Sequence, residues 1–152
     1  MNHSDLFIPG TAEHYIERIQ KLTPTTQGQW GKMNVAQMLA HAAVVMEKAM
    51  SKEKESRKLI SYILGPLFKG MITNTKPYSP GSPTSPSFIT TGQERDFETE
   101  KARLIKRIQE FSQGGPANVS PYAHPFFGKM SVNDWNMSQS KHLNHHLTQF
   151  GV

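Results

Sequence analysis

The sequence predicts an all-α fold, a single four-helix bundle over residues 1–152 with a long proline-rich crossover between its second and third helices. Three observations predict it. Four segments return apolar residues to one side at intervals of three and four. No segment alternates apolar and polar residues over a convincing strand length, and prolines crowd the link between the second and third periodic segments. A chain of 152 residues is also long enough to bury one sizeable core without staples.

Taken in order, Thr11 is the candidate N-cap of a first helix in which Ala12, Tyr15, Ile16, Ile19 and Leu22 share a face, with Pro24 just beyond its end. His14 stands beside that face and reads as a surface histidine. From Thr23 to Lys32 the chain turns polar, and Asn34 then opens a second helix with Val35, Met38, Leu39, Ala42, Met46 and Ala49 as its stripe. His41 lies about 120° from the centre of that stripe, so it should border the core rather than fill it. Ser56 to Ile72 is apolar in its centre but interrupted by Gly65 and Pro66, which predicts a short helix over Arg57–Leu64 followed by irregular chain.

The stretch 76–87 places Pro77, Pro80, Pro83 and Pro86 at a period of three, suited to an extended polyproline conformation. It reads as a stiff connector crossing one end of the bundle; the alternative is a segment read by the aromatic groove of a partner. Gln93 to Phe111 forms the third long helix with Phe97, Leu104, Ile108 and Phe111 as a narrow seam, ended by Gly114, Gly115 and Pro116. A loop containing HPFFGKM follows, in which His124 is extended before Pro125, and Phe126 and Phe127 can plug the end of the bundle. Ser131 caps the last helix with Asp134 in its first turn, and Val132, Trp135, Leu143, Leu147 and Phe150 return to one side.

Three of the seven histidines fall on that last helix within 142–146. At about 100° per residue His142 and His146 stand about 40° apart, with Gln149 beside them, and two imidazoles one turn apart can hold one metal ion. The simpler alternative is one hydrogen-bonded core histidine with solvated neighbours. His145 is rotated by about 100° from His146, so both cannot reach the same ion. A third ligand must come from elsewhere, and His41 is the one histidine on another strongly helical segment able to face the pair.

Composition removes several classes of function. The chain has no cysteine, so disulfides, thiolate nucleophiles and zinc–thiolate sites are excluded, and a metal would rest on histidine, carboxylate or solvent. Seventeen Lys and Arg against twelve Asp and Glu give +5, but Lys52, Lys54, Arg57 and Lys58 alternate with Glu53 and Glu55, and the third helix mixes its charges likewise. That pattern belongs to solvated helix faces, and no nucleic-acid partner is expected. There is no basic region followed by an apolar run at the start, and no long apolar run, so a cytoplasmic protein without a membrane partner is expected. Dinucleotide, P-loop, HExxH and nucleophile-elbow motifs are absent.

The runs WGKMNVAQMLAH from Trp30 to His41, HPFFGKMSVNDW from His124 to Trp135, and KHLNHHLTQFGV from Lys141 to Val152, with the Asp-Phe-x-x-Glu-Lys run at Asp96 to Lys101, resemble the DinB-like superfamily. Within it the chain is similar to a DUF1569-like bacterial subfamily of unknown function. Trp30, Asn34, Val35 and His41 match the pattern that opens the superfamily's second helix, and His142, His146 and Gln149 match the pattern on its fourth. Leu147 stands where the superfamily usually has arginine, so that arginine's role is not carried over. The resemblance implies a four-helix bundle with a long crossover, a zinc or nickel ion on three side chains of the second and fourth helices, and frequent homodimers. It also implies, by analogy with other subfamilies, chemistry on a low-molecular-weight thiol.

The combined expectation is a divalent metal on His41, His142 and His146 with water completing the shell, and with His145, His124 or Gln149 as hydrogen-bonding groups behind the ligands. As an enzyme the protein would be a thiol-dependent transferase or a hydrolase acting on a small molecule. As a binding or structural protein, the metal would only tie the second helix to the fourth. A coordination position open to a cavity favours the enzyme, and a site sealed by Phe126 or Trp135 favours the tie.

Overall fold

The computed structural model describes residues 5–82 and 90–152, which are all-helical, with five helices and no strand among the described residues. In chain order they are α1 (Thr11–Gln20), α2 (Val35–Met50), α3 (Leu59–Thr73), α4 (Phe97–Asn118) and α5 (Val132–Gln149). Contacts run from α1 to α4, α4 to α2, α2 to α5 and α5 back to α1, a closed ring of four helices, while α3 packs on α5. Inside the ring lie Tyr15 and Ile19, Met38, Leu39 and Met46, Leu104, Ile108 and Phe111, and Leu143 and Leu147. Ala36, Ala40, Ala42, Ala43 and Ala49 keep α2 thin, which lets its neighbours approach on more than one side.

The helix starts follow the chemistry of their caps. Asn34 accepts from the Gln37 amide at 2.9 Å while the Gln37 side chain accepts from the Asn34 amide at 3.0 Å, a reciprocal capping box. Ser131 and Asp134 repeat it at the start of α5. Asp96 caps α4, so that helix begins four residues later than the expected Gln93, and its regular part breaks at Gly115, where φ is 57° and ψ −154°. Thr11 is not the cap of α1: it is the first helical residue and fully buried. The chain enters α1 through Pro9 and Gly10, with the Thr11 amide bonded to the Ile8 carbonyl and Gly10 at φ 89°, a turn that needs no side-chain cap.

The largest departure is α3. The expectation of a short helix over Arg57–Leu64 with irregular chain behind it fails, because Gly65 and Pro66 lie inside one continuous helix to Thr73. Gly65 is there for contact and not for breakage: a Cβ on it would overlap the Phe126 carbonyl oxygen. Pro66 sits on the exposed side, where the carbonyl it deprives of a donor can be hydrated. Of the proline stretch, residues through Ser82 are described; Pro83 and Pro86 lie outside the described residues.

Candidate metal centre

α2 and α5 touch along one seam, and that seam brings His41 to His142 and His146. His41 is fully buried and not at a margin as its helix position suggests, because α4, α5 and the chain at Thr90–Gln93 enclose α2; Thr90 Oγ donates to the Gln37 carbonyl, and Gln37 Nε2 to the Gln93 carbonyl. His146 is buried and His142 half-buried. His41 Nε2 lies 2.9 Å from His142 Nε2, which lies 3.2 Å from His146 Nε2, and one ligand atom from each of the three falls within 4.8 Å of the others.

Three nitrogens at these separations suit one ion. Zinc–nitrogen distances of about 2.0–2.1 Å and a tetrahedral angle place two ligand nitrogens about 3.3 Å apart. The tautomer of His146 is fixed from behind. Gln149 Nε2 donates to the Trp30 carbonyl at 2.7 Å, which leaves Gln149 Oε1 to face His146 Nδ1 at 2.8 Å. An amide oxygen only accepts, so His146 carries its proton on Nδ1 and turns the Nε2 lone pair toward His41 and His142. Gln149 thus lies behind His146, on the side of its Nδ1.

Electrostatics keep the lone pairs free. Burial lowers the pKa of His146 to about 3, and the neighbouring His41 adds to it; burial, then His146 and His41, hold that of His142 well below the ordinary range. The three imidazoles, with no carboxylate in their group, could together hold a metal ion.

His145 lies half-buried beside the cluster, its ring 5.0 Å from that of His146, 5.9 Å from Trp30 and 5.6 Å from Tyr78, with a hydrogen bond to the Tyr78 backbone. It binds the crossover to α5. His124 is in a different place. Its Nδ1 accepts from the amides of Phe126 and Phe127 at 3.0 and 3.1 Å, its backbone pairs with Gly128, and its ring packs on Phe127 and Trp135. Burial first, and the charges of Lys48 and Arg57 next, lower its pKa to about 4. It fastens the HPFFGKM turn, so Phe126 and Trp135 belong to that end of the molecule.

The sequence carries no reading of Tyr78 or Gly31, and Trp30, matched there only as part of the pattern that opens the second helix, is half-buried with its Nε1 enclosed. Among the described residues Trp30 Nε1 has no hydrogen-bond partner, and Gly31, at φ 86°, backs onto Gln149 so closely that a Cβ would stand 2.5 Å from its Nε2. The tryptophan–glycine pair before α2 was the available signal. Surface clefts of about 330 Å³, at Glu47, Arg107 and Glu110, and about 290 Å³, at Glu13 and Gln109, are not lined by the histidines.

Fold and site together define a helical protein with a buried three-histidine cluster that could hold a metal ion. Residues 3–151 match the family described as "Protein of unknown function (DUF1569)", and the chain belongs to that family. No curated protein and no solved structure matches the chain.

Proposed function

We propose that the protein is a divalent-metal-dependent enzyme of the DinB-like type, a four-helix bundle holding zinc or nickel on His41, His142 and His146. The observation that carries this reading is the convergence of three neutral imidazoles, one with its tautomer set by the Gln149–Trp30 link. The closed ring of α1, α4, α2 and α5, with the long connection carrying α3, supports the bundle assignment. The chemistry such an ion supplies is Lewis acidity, lowering the pKa of a water or thiol that joins it, because three neutral ligands leave its charge uncompensated.

The chain's own residues then have distinct tasks. His41, fully buried, anchors the site to the core; His142 admits small molecules from its half-buried side; Gln149 holds His146. Without a cysteine the chain cannot supply a thiol, so transfer chemistry draws it from a low-molecular-weight cosubstrate in the cytoplasm. A reading as a metal tie between α2 and α5 is favoured by one observation, the opening of both described clefts elsewhere. Metal analysis of purified protein reconstituted with zinc or nickel tests the site: about one ion per chain in the wild type and none in His142→Ala/His146→Ala is expected. Absence of metal from the wild type defeats the proposal. Turnover by the loaded protein of thiols paired with electrophiles, or of hydrolysable esters and amides, separates enzyme from tie.

A further inference from the structure

α3 is built inside out. The side it turns to α5 and the HPFFGKM turn carries Ser61 and Gly65, both buried, whereas Leu59 is 87% exposed and Ile63 and Leu67 are 73% exposed each. Ile60, Tyr62 and Met71 are exposed between 41% and 58%. At about 100° per residue these six side chains cover roughly half the helix circumference. On ordinary side-chain areas the exposures amount to roughly 700 Å², more than the largest apolar patch of most monomers and close to the ~800 Å² that each partner gives to a standard interface.

We infer that this face of α3 is the contact between two copies of the chain, packed antiparallel about a twofold axis level with Gly65. The inference is independent of the metal site. Leu59, Ile63 and Leu67 recur every fourth residue, the ridge that seats against an identical ridge on another helix. A twofold at that level sets Ile63 against Leu67 of the other copy, Leu59 against Met71, and Ile60 against Gly70. Gly70 is an exposed glycine within a helix, and no described residue comes within 4 Å of a Cβ placed on it, so no contact among the described residues requires it. A side chain of a second copy fills that gap.

α3 has no acid in its first turn, and its carbonyl end is already met by Lys141, whose Nζ donates to the Met71 and Asn74 carbonyls. Lys69, at the edge of the face, is already neutralised by Asp134 at 2.8 Å and does not oppose the approach.

Sedimentation velocity of the full chain at micromolar concentration should show a dimer, and Ile63→Glu/Leu67→Glu a monomer with unchanged circular dichroism and metal content. A monomeric wild type, or a dimer that the double variant leaves intact, overturns the inference. Because the natural chain has no cysteine, Ile63→Cys mixed with Leu67→Cys gives a second test that keeps the apolar character of the face. Oxidation should join the two variants covalently, and failure to cross-link counts against the pairing. A monomeric wild type that floats with phosphatidylglycerol vesicles would assign the face to a membrane instead and likewise refute it.

Discussion

Replacing Gly31 by alanine should weaken metal binding although Gly31 touches no ligand. The backbone there has φ 86°, which a side chain tolerates at about 1–2 kcal/mol. The added Cβ would also stand 2.5 Å from Gln149 Nε2, where carbon and nitrogen need about 3.5 Å, so the amide must retreat by about 1 Å. The His146 Nδ1 to Gln149 Oε1 distance, 2.8 Å, would then leave hydrogen-bond range, and His146 would lose the partner that sets its tautomer. Loss of such a partner lowers metal affinity about 10–100-fold, or about 1.4–2.7 kcal/mol. Gly92→Ala is the control, since Gly92 has φ 81° with no described residue within 4 Å of an added Cβ and so carries the backbone strain without a clash among them. Competition for zinc against a chromophoric chelator, run beside thermal melting, separates the two effects. If Gly31→Ala melts early like Gly92→Ala yet binds zinc as the wild type does, the link from Trp30 through Gln149 to His146 has no bearing on the metal.

Other outcomes follow from the same geometry. His145→Ala and His124→Ala should retain close to full metal occupancy while His41→Ala and His142→Ala lose it; equal loss on changing His145 would show that the ligand set has been misassigned. His124 has its folded pKa lowered to about 4 from an ordinary 6.5, so its contribution to stability is complete above the ordinary value and is lost as the pH falls toward 4. Between about pH 7.5 and about pH 5 that loss is about 2 kcal/mol, and His124→Asn, which keeps an acceptor for the Phe126 and Phe127 amides, should show a urea-unfolding free energy less sensitive to pH by that amount. Asn34→Ala and Ser131→Ala should each lower stability by about 1 kcal/mol in the same assay, and a neutral result at either would mean that the capping box does not hold in solution.

Legibility in the sequence followed the range of the interactions. α2 and α5 were readable to the residue at their starts because a capping box is a local code, written in Asn34 and Gln37 and in Ser131 and Asp134. The i, i+4 pair of His142 and His146 was readable for the same reason. The full burial of His41 was not, since it depends on α4 and on Thr90–Gln93 closing over α2. α3 was misread because Gly65 and Pro66 are breakers in isolation; only the Phe126 carbonyl shows why a glycine sits there, and that contact spans the chain from position 65 to 126. The place of His124, inside its own turn, was obscured by the choice of acceptors: the imidazole accepts from two amides two and three residues ahead, a pattern with no sequence mark of its own.

The contact between His41 and His142 joins residues 101 positions apart. An ion there would act on the unfolded chain as a cross-link does, closing a loop that contains α3, α4 and most of the connections. Loop-closure entropy grows slowly with length, so a staple over about 100 residues removes about 4.7 kcal/mol of chain freedom if it persists on unfolding. Imidazoles release their ion when the chain opens, and the stabilisation then takes the form of mass action, growing with free metal above the dissociation constant. The melting temperature of this protein should therefore rise with metal concentration and fall under chelation, making the fold a reporter of the metal supply around it.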